Sequence, residues 1–243
     1  MCTVTFIPTT SGVLITSNRD EKIQRSVALP PMFYQLNGIG LVYPKDPDAA
    51  GTWIAMQDAG QFGVLLNGAF QKHEPAYPYN RSRGLVFLDI VASADMDTAF
   101  REIDLGNIEP FTIILFRPGS LTVNRWDGLQ KLVQPVPADQ PHIWSSATLY
   151  DEAMVREREE WFRDWKSLYP NPNVSNILDF HLFGGKSNDF NNIRMNRHGQ
   201  LLTVSITCIE AGENGAAMHY TDLQNGEKHH AAITYKTVPQ LHS

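Results

Sequence analysis

Polar and apolar positions alternate from the first residues, with the period of a strand. The stretch CTVTFIP (2–8) is followed by the turn signal TTSG and then by GVLITSN (12–18), which predicts a hairpin. Its open end brings Cys2 beside Arg19. Strand patterns recur at IGLVY (39–43), TWIAMQ (52–57) and FGVLLN (62–67), and at FTIILF and LTVNRW around the turn RPGS. A last group comprises QLLTVSITCI, AAMHYTDL and HAAITYK, separated by NRHG and QNGE turn contexts. Helical spacing replaces alternation in two blocks. SRGLVFLDIVASA with MDTAFREID forms the first, within 81–104. The second, within 150–184, begins at LYDEAMVREREEWFRDWKSLY, where Met154, Trp161, Trp165 and Leu168 recur at helical spacing, and continues with VSNILDFHLFG. Blocks of strands separated by helix pairs predict an α+β fold, with helices on the outer faces of antiparallel sheets.

No repeat, low-complexity segment or linker longer than a loop interrupts the pattern, so residues 1–243 are expected to form a single domain. Composition narrows the partners. Hydrophobic residues make up 42% and charged residues 19%, an ordinary globular balance. The net charge of −6 comes with no basic block, which argues against a nucleic-acid backbone or an anionic membrane surface. No apolar run reaches the roughly 20 residues of a membrane span, and the start of the chain lacks the features of a secretory signal. Two cysteines, Cys2 and Cys208, make no disulfide framework, so a cytoplasmic location is expected.

Spacing removes the common cofactor and metal chemistries. The chain has no C-x-x-C, H-E-x-x-H, P-loop, G-x-G-x-x-G or G-x-S-x-G, so neither a metal nor a cofactor is expected. A small-molecule substrate or ligand remains, and Cys2 draws attention. Aminopeptidases commonly remove an initiator Met before a small residue. The mature chain would then carry a thiol and a free α-amine on one residue. With reference pKa values of roughly 8.5 and 7.7–8.0, the amine can take the thiol proton near neutrality. Taken alone, Cys2 is better read as an inert strand residue.

Cys2 is not alone. MCTVTFIP…GVLITSNRDE, AGTWIAM…GQFGVLLNGA, SRG, IWSSATLYD and MNRHGQLLTVSITCIE together resemble the NRDE family, also called the transport-and-Golgi-organisation family. The resemblance covers nearly the whole chain. It implies the fold of the N-terminal-nucleophile hydrolases, a four-layer αββα sandwich whose first residue attacks an amide. Some members of the family are linked instead to haem movement or lipid metabolism.

The same resemblance suggests site residues. Cysteine-type amidases of this fold, such as the bile-salt and penicillin V acylases, carry R-N-x-D on the second strand. Here Asn18 and Asp20 match it, while Arg19 stands two places nearer the strand end. Asp20 is expected to hold the α-amine and Arg19 to favour the thiolate. Asn67 matches an oxyanion-hole residue of those amidases. A further amidase Asn is replaced by Ser145 or Ser146, and their final arginine finds candidates in Arg194 and Arg83. These features imply an amidohydrolase acting on a linear amide. Two alternatives stand beside it: a pocket for haem or an acyl-lipid, lined by His181, Met154, Trp161, Phe162 and Trp165, and an interaction protein with no small-molecule site.

Overall fold

In the computed structural model, residues 2–74, 78–186 and 189–236 are described, Cys2 by its backbone alone. The opening hairpin joins β1 (Cys2–Thr9) to β2 (Gly12–Lys22). Next come β3 (Leu29–Leu36), β4 (Ile39–Lys45), β5 (Ile54–Gln57) and β6 (Phe62–Asn67). The helices α1 (Arg83–Val91) and α2 (Met96–Glu102) precede β7 (Phe111–Arg117), β8 (Ser120–Trp126), β9 (Lys131–Val136) and β10 (His142–Ser145). After α3 (Glu152–Leu168) and α4 (Val174–Phe183) come β11 (Asn196–Arg197), β12 (Leu201–Ala211), β13 (Gly215–Asp222) and β14 (Lys228–Thr234).

Two antiparallel sheets result. One has the order β10-β1-β2-β12-β13-β14, with β11 added to β12, and the other runs β3 through β9 in sequence. Alternation in β1 and β2 decides what each face packs. Val4, Phe6, Val13 and Ile15 belong to the core between the sheets, where the Phe6 and Phe116 rings lie 5.5 Å apart. Ile7, Leu14 and Cys208 turn the other way and pack with Phe162, Ile177 and Phe180 of α3 and α4. On the second sheet, α1 sits close over β6 because Gly63 has no side chain; a Cβ there would come 2.8 Å from both Phe87 and Val91. The order is therefore helices, sheet, sheet, helices, an α+β four-layer αββα sandwich.

The helices start where side chains can cap them. Ser82, Asp95 and Asp151 accept from the backbone N–H three residues on, and Asn173 forms a capping box with Asn176. The recurrence expected along α3 holds for Trp161 and Trp165, which pack against the helix-side core, but not for Leu168. The buried residues of α3 are Arg158 and Phe162, while Leu168 is 76% exposed. Ten residues on, Leu168 is turned about 80° around the helix from Arg158. No helix among the described residues is long and apolar enough to cross a membrane.

Candidate functional site

The hairpin register places Cys2 directly opposite Arg19, and Thr3 opposite both Asn18 and Ser145. The Cys2 thiol and Met1 lie outside the described residues. Arg19 follows Val13 and Ile15 on the inter-sheet face and is 5% exposed. Its Nη2 donates to Asp46 Oδ2 at 2.7 Å, and its guanidinium carbon lies 4.6 Å from the centre of the Trp53 ring. Asp46 is heavily used. It also accepts from Arg25 (2.9 and 3.1 Å) and from the backbone N–H groups of Asp48 and Ala49. Much of the Arg19 charge is thus met before it can act on a thiol.

A cavity of about 170 Å³ joins Arg19, Trp53 and Asp46 to Asn67, Arg83 and Glu109. Asn67 ends β6, and Gly68, at φ +80°, turns the chain in a conformation that suits glycine. The Asn67 side-chain amide has no hydrogen-bond partner among the described residues. Alternation sets it with Gly63 and Leu65 on the α1 side of its sheet, so it meets Arg19 around the strand end and not within the inter-sheet core. Arg83, at the start of α1, pairs with Glu109 at 3.1 Å and donates to Pro110 O at 3.3 Å. The close approach of Gly51 to Gly84 brings it there: a Cβ on Gly51 would lie 2.4 Å from the Gly84 carbonyl carbon.

Asp20 does not join this cavity. It is fully buried on the opposite face of β2, where Thr203 Oγ1 donates to Oδ1 at 2.6 Å and Tyr150 Oη to Oδ2 at 2.7 Å. Burial pushes its carboxyl above the usual range, opposed by the Arg158 charge and by the Thr203 and Tyr150 hydroxyls. Arg158 is 0% exposed and lies 3.6 Å from the Tyr150 ring centre. It donates to Thr3 Oγ1, to Asn192 O and to both oxygens of Asn191. Tyr150 lies inside the IWSSATLYD stretch with nothing to mark its role, and Arg158 does not stand out because REREE reads as a solvated run.

Asn18, a candidate substrate contact from its place in the motif, is also on the helix side, where its side chain is spent on structural contacts. Its Nδ2 donates to His181 O and Ile193 O, which leaves Oδ1 to accept from His181 Nδ1 at 2.7 Å. His181 Nε2 must then accept the Thr5 hydroxyl at 2.8 Å. Both ring nitrogens are used and the ring is fully buried, so His181 offers no ligand to a haem iron. Among the described residues no group of three or more His, Cys, Asp or Glu is placed to hold a metal.

A larger cleft of about 790 Å³ lies between the end of β10 and the start of α3. Ser145, Trp144, Phe70, Tyr150, Met154 and Arg197 are among its lining groups. Ser146 is buried beside it and its hydroxyl goes to Asn67 O at 2.8 Å, so it braces Asn67 instead of facing a ligand. Arg194 is exposed and lines a separate cavity with Asp189, Asn192 and Gln224, whose lining includes neither Arg19 nor Asn67. Trp161 and Trp165 line a third, on the helix surface, and Phe162 is core.

Solved structures share this architecture. Two crystal structures of variants of the conjugated bile acid hydrolase from Clostridium perfringens align with 98% of this chain and 97% of that one. Their TM-scores are 0.59 and 0.58 at 12% and 13% identity. The N-acylethanolamine-hydrolyzing acid amidase ortholog of Caenorhabditis elegans aligns over 86% of this chain and 92% of its own, with a TM-score of 0.59 at 13% identity. At such identities the likeness concerns the fold. No curated protein sequence matches. The family model described as Transport and Golgi organisation 2 matches residues 1–167, more than two thirds of the 243, and the chain belongs to that family.

Proposed function

We propose that this protein is an N-terminal-nucleophile amidohydrolase acting on a linear amide of a small molecule, with Cys2 as nucleophile once Met1 is removed. The observation that carries the reading is the pairing of Cys2 with Arg19 at the open end of the hairpin, beside the cavity that Arg19 shares with Asn67. It is supported by the fold held in common with a hydrolase and an acid amidase. The Cys2 α-amine takes the thiol proton, and sulfur attacks the amide carbon. The amine then passes that proton to the leaving nitrogen, and water cleaves the thioester to a free acid. Because Asp46 engages Arg19, the α-amine is the principal activator of the thiol. Asn67, whose amide has no partner among the described residues, supplies an oxyanion donor. The 790 Å³ cleft receives the acyl portion, and Arg83 stands at the rim of the smaller cavity.

The cleft also supports a second reading, retention of an acyl ligand without turnover, favoured by the engagement of Arg19 with Asp46. One experiment separates the two. Met-free protein, verified by intact mass, is assayed against a panel of N-acyl amides and alkylated with iodoacetamide at pH 7. Hydrolysis that Cys2→Ala abolishes and Cys2→Ser slows, with selective labelling of Cys2, is the expected result. Cys208 is the internal control: it is fully buried, and burial pushes its thiol up to about 12. Equal labelling of the two cysteines, or a wild-type protein inert to the panel, overturns the hydrolase reading.

A further inference from the structure

The buried groups behind β1 and β2 form a connected assembly whose chemistry the proposed reaction leaves unused. Asp20 comes one residue past the Cys2–Arg19 pair, on the helix side of the strand, and so flanks the backbone at the start of β1. Thr3 flanks it from the other direction, one covalent step along. Arg158 reaches both. Its Nη1 donates to Thr3 Oγ1, and its guanidinium lies over the Tyr150 ring, whose hydroxyl donates to Asp20 at 2.7 Å. Four further hydrogen-bonded groups lock the assembly. Asn191 and Asn192 hold Arg158, and Thr203 holds Asp20 while its own oxygen accepts from Met195 N.

The charges are what make this arrangement unusual. Arg158 is a fully buried cation whose hydrogen bonds, among the described residues, go to neutral oxygens. Isolated buried ions are costly, so such a cation needs a counter-charge nearby. Asp20, on the far side of the Tyr150 hydroxyl, is the buried carboxylate that supplies it. Among the described residues, the other charged or titratable groups here include Arg197, 5.3 Å from the Tyr150 ring centre, Glu157, which accepts from Asn191, and the neutral His181 beyond Asn18.

We propose that Tyr150 and Arg158 are positioning residues that hold Asp20 as a carboxylate aimed at the α-amine of Cys2. The proposal rests on Cys2 being the first residue of the mature chain, as the hydrolase reading requires. An ionised Asp20 favours the ammonium form of that amine, and the ammonium in turn favours the thiolate. Below the pH at which Asp20 takes a proton, thiol reactivity falls. Tyr150 also lines the 790 Å³ cleft, so a bound ligand would touch the residue that holds Asp20.

The test is the rate of Cys2 alkylation by iodoacetamide against pH in Met-free protein, which requires no substrate. Wild type should show an acid limb. Tyr150→Phe keeps the ring under Arg158 and removes one hydrogen bond to the carboxylate, which should move that limb up by about one pH unit. Arg158→Met should move it further, and Arg158→Lys should restore part of the shift. Protection of Cys208 reports that each variant is folded. A purely structural role would lower the rate at every pH without moving the limb. An unmoved limb in folded Tyr150→Phe, or a wild-type profile without an acid limb, overturns the proposal. A protein that passes this test yet hydrolyses no amide would refute the hydrolase reading alone.

Discussion

Arg19 and Asp20 are adjacent in sequence and face opposite sides of the same strand. Arg19 enters the space between the sheets to meet Asp46 and Trp53, and Asp20 enters the helix layer to meet Tyr150 and Thr203. In β2 this follows from the two-residue period of a strand. The two residues therefore enclose the hairpin end from both faces, and substitutions at them should have separable effects.

Arg19→Met should destabilise the protein. Removing one member of a buried ion pair typically costs about 3–5 kcal/mol, because the partner is left uncompensated. Asp46 retains Arg25 and two backbone donors, so the loss should fall at or below the low end of that range. Urea denaturation of wild type, Arg19→Met and Arg19→Lys would measure it. A cost equal to that of a surface substitution would show that the pair is not a support.

Asn67→Ala should do the reverse. Its side-chain amide has no partner to lose among the described residues, so the melting temperature should stay within a degree or two, while amide hydrolysis falls on the order of 10²–10³-fold. A variant that turns over at the wild-type rate would remove Asn67 from the reaction. A large drop in melting temperature would make it a structural residue.

How much of this was readable follows from where the deciding contacts lie. The hairpin and its Cys2–Arg19 register were legible because strand period and turn chemistry are local, and the capped helices were legible for the same reason. β3, with Pro30 and Pro31, and β9, with Pro135, were not. Both are edge strands, where proline is tolerated and alternation weakens. The opposed faces of Arg19 and Asp20 were implicit in strand period, but a shared motif invited a shared site. Arg158 was hidden for a different reason. Its partners Thr3 and Asn191 are remote in sequence, so nothing within REREE marks one arginine as buried.

Gly51→Ala tests how the backbone places Arg83. A methyl group 2.4 Å from the Gly84 carbonyl carbon has only backbone to displace, so the start of α1 must move. The expected cost is about 1–3 kcal/mol, as for overpacking elsewhere. The Arg83–Glu109 pair should loosen with it, weakening binding of any substrate that Arg83 contacts. Unchanged stability by urea denaturation, with unchanged KM, would show that the helix start yields freely.

His181 should govern part of the acid sensitivity. Burial lowers its pKa from 6.5 to about 3, with the Arg158 charge acting in the same direction. Between those values the unfolded chain binds a proton at this residue that the folded chain refuses. Stability from His181 is therefore complete above about pH 6.5 and falls as the pH drops towards 3. Asp20 works in the opposite sense. Its carboxyl is raised from 3.8, so its contribution declines as the pH rises through the raised value. The two effects oppose one another over the acid range, and removing His181 should leave the Asp20 trend exposed. His181→Gln keeps a donor and an acceptor near Asn18 and Thr5 but cannot titrate. Its urea midpoint should be lower than wild type at pH 7, yet change less between pH 7 and pH 4.5. Equal losses on acidification in the two proteins would assign the sensitivity to other groups.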